Sequence, residues 1–228
     1  MKKIKINWRY AIGEFLIVVA GILVAFQLNN WSQSANTRNL TLQSLNNLVS
    51  DLKQDSIQFG YHKLGSERTA AHLKATINCL KKDEVDSLEY NYQKSRTFVL
   101  AVLHNSAFES INQLGLLSNI EDEDLRYSIQ YYYNFIQPNV VKLREFEFQR
   151  YEETMGSINT DAAIIMEEAS WDDLPLDYKM VKQILLDPTN FKKLYQYGKV
   201  EEFLVLKANE HIEANRSLLE ELKKYIKS

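Results

Sequence analysis

Between Phe15 and Phe26 the chain reads FLIVVAGILVAF, twelve residues without one polar side chain. A run of this kind near an N-terminus suits a segment that lies in lipid. Admitting Glu14 and Gln27 extends the apolar character from Ile12 to Leu28, 17 residues or about 25 Å of helix, and Tyr10 to Asn30 reaches about 31 Å, against a hydrocarbon core of about 30 Å. The eleven Leu, Ile, Val and Phe residues in that stretch favour insertion by roughly 3 to 7 kcal/mol. Glu14 falls in the first turn or so, where its carboxylate can reach the headgroups. The segment is therefore expected to cross a membrane once.

Its flanks give a direction. Lys2, Lys3, Lys5 and Arg9 precede it, and no Lys or Arg follows until Arg38, so the N-terminus is expected on the cytoplasmic side and the body of the chain on the other. Arg9, Trp8, Tyr10 and Trp31 stand where interface anchors belong. Net charge is −3 overall and +3 within residues 1–31, which leaves −6 on the remainder. An acidic body behind a basic tip does not suit nucleic-acid binding. A cleaved signal peptide shares the basic and apolar regions, and Ser32-Gln33-Ser34 offers small residues for cleavage before Ala35. The polar stretch from Gln27 to Ser34, Trp31 as an anchor and the acid at Glu14 favour a retained span. On a helical wheel Glu14, Val18, Gly21 and Ala25 form one stripe, an acid with a small-xxx-small pair, suited to packing against another membrane helix.

The order Tyr10-Ala11-Ile12-Gly13-Glu14, an apolar run, then Gly21-Ile22-Leu23-Val24-Ala25-Phe26-Gln27-Leu28-Asn29-Asn30-Trp31 resembles the N-terminal signature of a family of uncharacterised single-span membrane proteins, a domain of unknown function common in Bacteroidota. A second stretch is similar to the same family: Phe108-Glu109, Leu114-Gly115-Leu116-Leu117, Ile120, an acidic cluster, Leu125-Arg126, Ile129 and Tyr132-Tyr133. In the family Asn-Asn-Trp is often followed by Asn-Glu, whereas Ser32-Gln33 follows here. The resemblance implies a topology; it implies no activity, cofactor or catalytic residue.

Beyond the span, seven glycines and three prolines make up about 4 % of the chain against an average of roughly 12 %, too little punctuation for a sandwich, barrel or propeller. The fold class expected is all-α, with the transmembrane helix continuing into an elongated antiparallel bundle. Leu42, Leu45, Leu48, Val49, Leu52, Ile57 and Phe59 recur at helical spacing, softened at Gly60 and Gly65, and Leu64, Ala71, Ala75, Ile77 and Leu80 carry the pattern to Lys82. Lys81 to Ser87 reads as a turn and Thr97 to His104 as a buried helix. Ser106 with Glu109 reads as a capping box, with Gly115 as a stop. Glu121 to Asp124 suits a helix first turn. That helix carries Leu125, Ile129, Tyr132, Tyr133 and Ile136 on a helical period, kinks or breaks at Pro138, and resumes through Val141, Leu143, Phe146 and Tyr151 to Gly156. Tyr131 to Tyr133 reads as core rather than a stacking platform. Ser157 to Ser170 and Asp177 to Leu186 read as shorter helices around Trp171 to Pro175. Asp187-Pro188 opens a final helix with Leu194, Phe203, Leu204, Leu218 and Leu222 inward.

Catalytic signatures are missing. There is no P-loop, dinucleotide fingerprint, H-E-x-x-H, EF-hand loop or nucleophile elbow, and His62, His72, His104 and His211 are scattered. With one cysteine, Cys79, no internal disulfide can form. No enzyme, cofactor or metal is expected. The expected organisation is a cytoplasmic tip over 1–9, a transmembrane helix over 10–31, and a periplasmic helical domain over 32–228, set in a bacterial inner membrane. The expected role is an interaction or structural module with a membrane-protein partner or a second copy. The alternative is a ligand-sensing bundle, which needs a separate transducing partner because nine residues make no output domain.

Overall fold

The computed structural model describes residues 8–82, 84–96, 102–162 and 176–227. Helix α1, Trp8–Lys82, is one uninterrupted helix of 75 residues, about 110 Å long. It passes through Gly60 and Gly65 without a break, because packing on its flank outweighs the roughly 1 kcal/mol that each glycine costs. Beyond the apolar segment one row of its buried positions steps by four and three: Thr41, Leu45, Leu48, Leu52, Asp55, Phe59, His62, Ser66, Thr69, Leu73, Thr76 and Leu80, with Val49, Ile77 and Cys79 buried beside it. The last helix, α8 (Pro188–Lys227), answers with Leu194, Tyr197, Glu201, Leu204, Ala208, His211, Asn215, Leu218 and Leu222. These are two heptad seams, and the pair forms an antiparallel coiled coil. Asp187 caps α8 as the Asp-Pro pair predicts, its Oδ1 accepting from the amides of Thr189 and Asn190 at 2.9 and 3.1 Å.

Shorter elements cover this coil. Helices α2 (Val85–Ser95) and α3 (Ser106–Gln113) run back along α1, and a 3₁₀ turn follows over Leu116–Asn119. The chain then returns through α4 (Glu123–Tyr131), a π turn (Tyr132–Ile136), α5 (Gln137–Tyr151), a second π turn (Glu152–Gly156) and α6 (Ser157–Asp161); α7 (Tyr178–Leu186) precedes α8. Two apolar cores result. One gathers Leu45, Leu52, Ile111, Ile129 and Leu222; the other gathers Leu73, Tyr92, Met155, Val181 and Leu194.

Local expectations are met in part. Gly115 ends its turn at φ 66°, and Asp122 caps α4 by accepting from the Leu125 amide at 3.0 Å. The turn before α2 is tighter than Lys81 to Ser87, since α1 reaches Lys82 and α2 begins at Val85. Val102 to Asn105 is not helical; the His104 amide donates to Asp55 Oδ1 at 2.8 Å and its carbonyl accepts from Gln137 at 2.9 Å, so side chains replace a helical ladder there. Thr97 to Ala101 and 163–175, including Trp171 to Pro175, lie outside the described residues. Ser106 forms no capping box. The N-cap is Asn105, whose side chain donates to Glu109 at 2.7 Å, and the Ala107 amide is taken by Asp51 of α1 at 3.0 Å.

The expected kink at Pro138 is a π turn placed just before it. The Gln137 amide reaches back five residues to the Tyr132 carbonyl. One added residue shifts the phase, so Gln137, Val140 and Glu147 face inward, whereas the apolar Val141 and Phe146 are exposed. Ile57, Leu64, Ala71 and Phe203 also point outward. Ile57 lies two positions from Phe59 and so on the opposite side of the helix, and Phe59 fills the seam.

Candidate functional site

Three features stand apart from ordinary packing. The first is the apolar stretch of α1, which has a mean hydropathy of 2.0 in its most apolar window, is wholly unburied, and is long and apolar enough to cross a membrane. Glu14, Val18, Gly21 and Ala25 sit on it as an exposed stripe, and a methyl group added at Gly21 would meet nothing within 4 Å. Trp31 projects at its far end, 74 % exposed. Trp8, Arg9 and Tyr10 form its first turn.

The second feature is an aromatic ladder that runs from α4 into the π turn. Tyr127, Tyr131 and Phe135 stack in sequence, with centroids 6.1 and 5.1 Å apart, all exposed. The tyrosine triplet is thus divided. Tyr131 joins the ladder, while Tyr132 and Tyr133 are buried, Tyr133 stacking on Phe108 at 4.5 Å.

The third is a band of polar side chains inside the coil. Asp55, 0 % exposed, accepts at Oδ2 from Tyr132 Oη at 3.1 Å and from Gln137 Nε2 at 2.7 Å, while the His104 ring Nδ1 stands 3.2 Å from Oδ1. Asn215 of α8 donates to Tyr132 Oη at 2.9 Å and to the Leu52 carbonyl at 3.0 Å. The segment before α3, the π turn and α5 therefore meet on one carboxylate of α1 whose oxygens are satisfied, with α8 tied in through Tyr132. Burial, then the adjacent Asp55 carboxylate, pushes the Tyr132 hydroxyl well above its ordinary range.

One heptad further from the apolar stretch, the band changes character. His62, Arg144, Lys207 and His211 border a cavity of about 10 Å³, room for one water. Burial pushes the His211 imidazole down to about 4. Beyond it Glu147 and Glu201 meet across α5 and α8, with Arg144 paired to Glu147 and with Ser66 and Tyr197 beside Glu201. Neither oxygen of Glu201, nor Ser66 Oγ, nor Tyr197 Oη has a partner in hydrogen-bonding geometry. Among the described residues no group of three or more His, Cys, Asp or Glu is placed to hold a metal ion.

Sequence reading found the first feature and missed the third, because a search for apolar periodicity passes over polar side chains at seam positions. The scattered histidines are partly gathered by the fold: His62 and His211 line one cavity, and His104 meets Asp55.

Residues 14–139, more than half of the chain, match the family described as Family of unknown function (DUF6090). The chain belongs to that family. In this DUF6090 protein the matched region holds most of the apolar stretch, the aromatic ladder, Asp55, His104, Tyr132 and Gln137; Glu147, Glu201 and Asn215 lie beyond it. No curated protein and no solved structure matches the chain.

Proposed function

We propose that this DUF6090 protein is a membrane-anchored helical interaction module. In this reading the span over 10–31 fixes it in a bacterial inner membrane, with the basic tip over 1–9 cytoplasmic and the bundle over 32–228 periplasmic. It works through a membrane-protein partner or a second copy, without catalysis. The observation that carries the reading is the continuity of α1: the same helix that offers the unburied apolar stretch supplies one strand of the coiled coil, with no joint between. A bundle so joined is positioned by its anchor. The basic flank supports the orientation, and the exposed stripe Glu14, Val18, Gly21 and Ala25 together with the aromatic ladder supports contact with protein.

A test starts from a Cys79→Ser background with Gln33→Cys or Lys3→Cys. In intact cells a membrane-impermeant thiol reagent should label Gln33→Cys and spare Lys3→Cys, and alkaline carbonate should leave the protein in the membrane pellet. Labelling of Lys3→Cys alone, or release by carbonate, overturns the reading. Within the membrane, Glu14→Ala or Gly21→Ile should reduce cross-linking to the partner or second copy by about tenfold if the stripe is the packing face, which corresponds to about 1.4 kcal/mol.

A polar groove of about 950 Å³ where α1 leaves the apolar stretch, bordered by Asn30, Thr37, Arg38, Ser118 and Tyr225, favours the ligand-sensing alternative. Saturable thermal stabilisation of the full chain by a small polar metabolite, lost in Arg38→Ala, would select it over the module.

A further inference from the structure

Glu147 is 4 % exposed and Glu201 1 % exposed, and they come from different helices to the same point between the two cores. Charges do not balance there. The groups that act on the pair are Arg144 from α5, Tyr197 from α8 and Ser66 from α1, with Tyr151 beside Tyr197; His62, Lys207 and His211 border the water-sized cavity together with Arg144. Among the described residues Arg144 is the cation that acts directly on both carboxyls. Two ionised carboxylates against one guanidinium leave a buried charge of −1, and two carboxylates cannot lie side by side out of water without a positive charge between them. Neither oxygen of Glu201 has a donor in hydrogen-bonding geometry, although the Tyr197 and Ser66 hydroxyls stand beside it, and its other neighbour Glu147 can donate only in its acid form.

We propose that Glu147 and Glu201 share one proton at neutral pH, so that the middle of the bundle is a proton-binding site whose deprotonation loosens the packing of α5 against α8. Burial, then the neighbouring Glu201 carboxyl, pushes Glu147 up to about 8, and burial pushes Glu201 up as well. The proton comes from solvent and returns to it; no other bond changes. Once it leaves, repulsion between the carboxylates acts on the α8 seam at Tyr197 and Leu204, the turns that flank Glu201.

The test uses the full chain in detergent micelles in heavy water. Infrared difference spectra between pH 6 and pH 10 should contain the carbonyl band of a protonated carboxyl, disappearing as pH rises through about 8 and absent from both Glu147→Gln and Glu201→Gln. Glu201→Gln mimics the protonated acid, can still donate to Glu147, and should keep the helical circular dichroism of the parent. Its melting temperature should be level across the interval in which the parent's falls. No such band in the parent overturns the proposal, as does a band that persists in both Gln variants, which assigns it to another acid. Equal pH profiles of melting for parent and Glu201→Gln also overturn it. So does stabilisation at pH 7 by sodium in place of choline without any protonated-carboxyl band, because the missing charge is then a metal cation.

Discussion

Asp55 shows what a single side chain does in this bundle. Its carboxylate is fully buried and joins α1, the segment before α3, the π turn and α5, with α8 tied in through Tyr132 and Asn215. Asp55→Ala is expected to lower unfolding free energy by about 3 kcal/mol or more, since it strands several buried donors at once. Tyr132→Phe removes one hydroxyl and should cost about 1 to 2 kcal/mol. Denaturant titration of the two variants in the same detergent checks the ratio; similar losses would mean that the network is not centred on the carboxylate. Asp55 was within reach of the sequence. Leu45, Leu48, Leu52, Phe59 and Leu73 set a four-three rhythm on which Asp55, His62 and Ser66 also fall, and a polar residue at such a position marks a register-fixing layer or a site. What sequence could not supply is the partner set. Gln137 and His104 reach Asp55 from more than 45 positions away, Gln137 by a local break in helical phase and His104 from a non-helical segment.

At the scale of an element, the π turn over Tyr132–Ile136 decides which side of α5 faces the core. Apolar periodicity carried through Pro138 assigns Val141 and Phe146 to the interior, and the added residue places Gln137 and Glu147 there instead. Deleting Asn134, which is exposed, should restore regular α-helical phase and turn Gln137 away from Asp55. The expected cost is about 2 to 4 kcal/mol, read by denaturant unfolding; a loss under about 0.5 kcal/mol would show that the bulge is incidental. The α1 seam makes its own prediction. Leu52→Ala should cost about 2 to 5 kcal/mol and Ile57→Ala, half exposed, within about 0.5 kcal/mol. Helices, their order and most of their ends were legible because capping residues and scarce glycine are local signals. The segment at Val102 to Asn105 was not, because its apolar residues fit a buried helix equally well and only distant side chains decide against it.

For the whole molecule, the buried titratable groups set a stability profile with pH. Glu147 rises from an ordinary 4.5 to about 8, so between those values the folded chain holds a proton that the unfolded chain does not, and stability falls as pH rises. His211 drops from 6.5 to about 4, so between those values the unfolded chain holds the extra proton and stability rises with pH. The slopes oppose each other from about 4.5 to 6.5, which predicts a plateau there, followed by a decline of at most about 1.4 kcal/mol per pH unit up to about 8. Thermal unfolding across pH 4 to 9 measures the profile, and His211→Phe should remove the compensation and leave a decline that starts near pH 5. The long helix has a mechanical consequence as well. From Trp31 to Lys82 α1 extends about 75 Å without a hinge, so if its apolar end is held in a bilayer the bundle is the arm of a lever. A change of about 10° in the tilt of that end, within the range by which spans adapt to bilayer thickness, sweeps the distal tip sideways by about 13 Å. Small changes in membrane thickness would then register at the far end of the molecule as displacements wider than a helix.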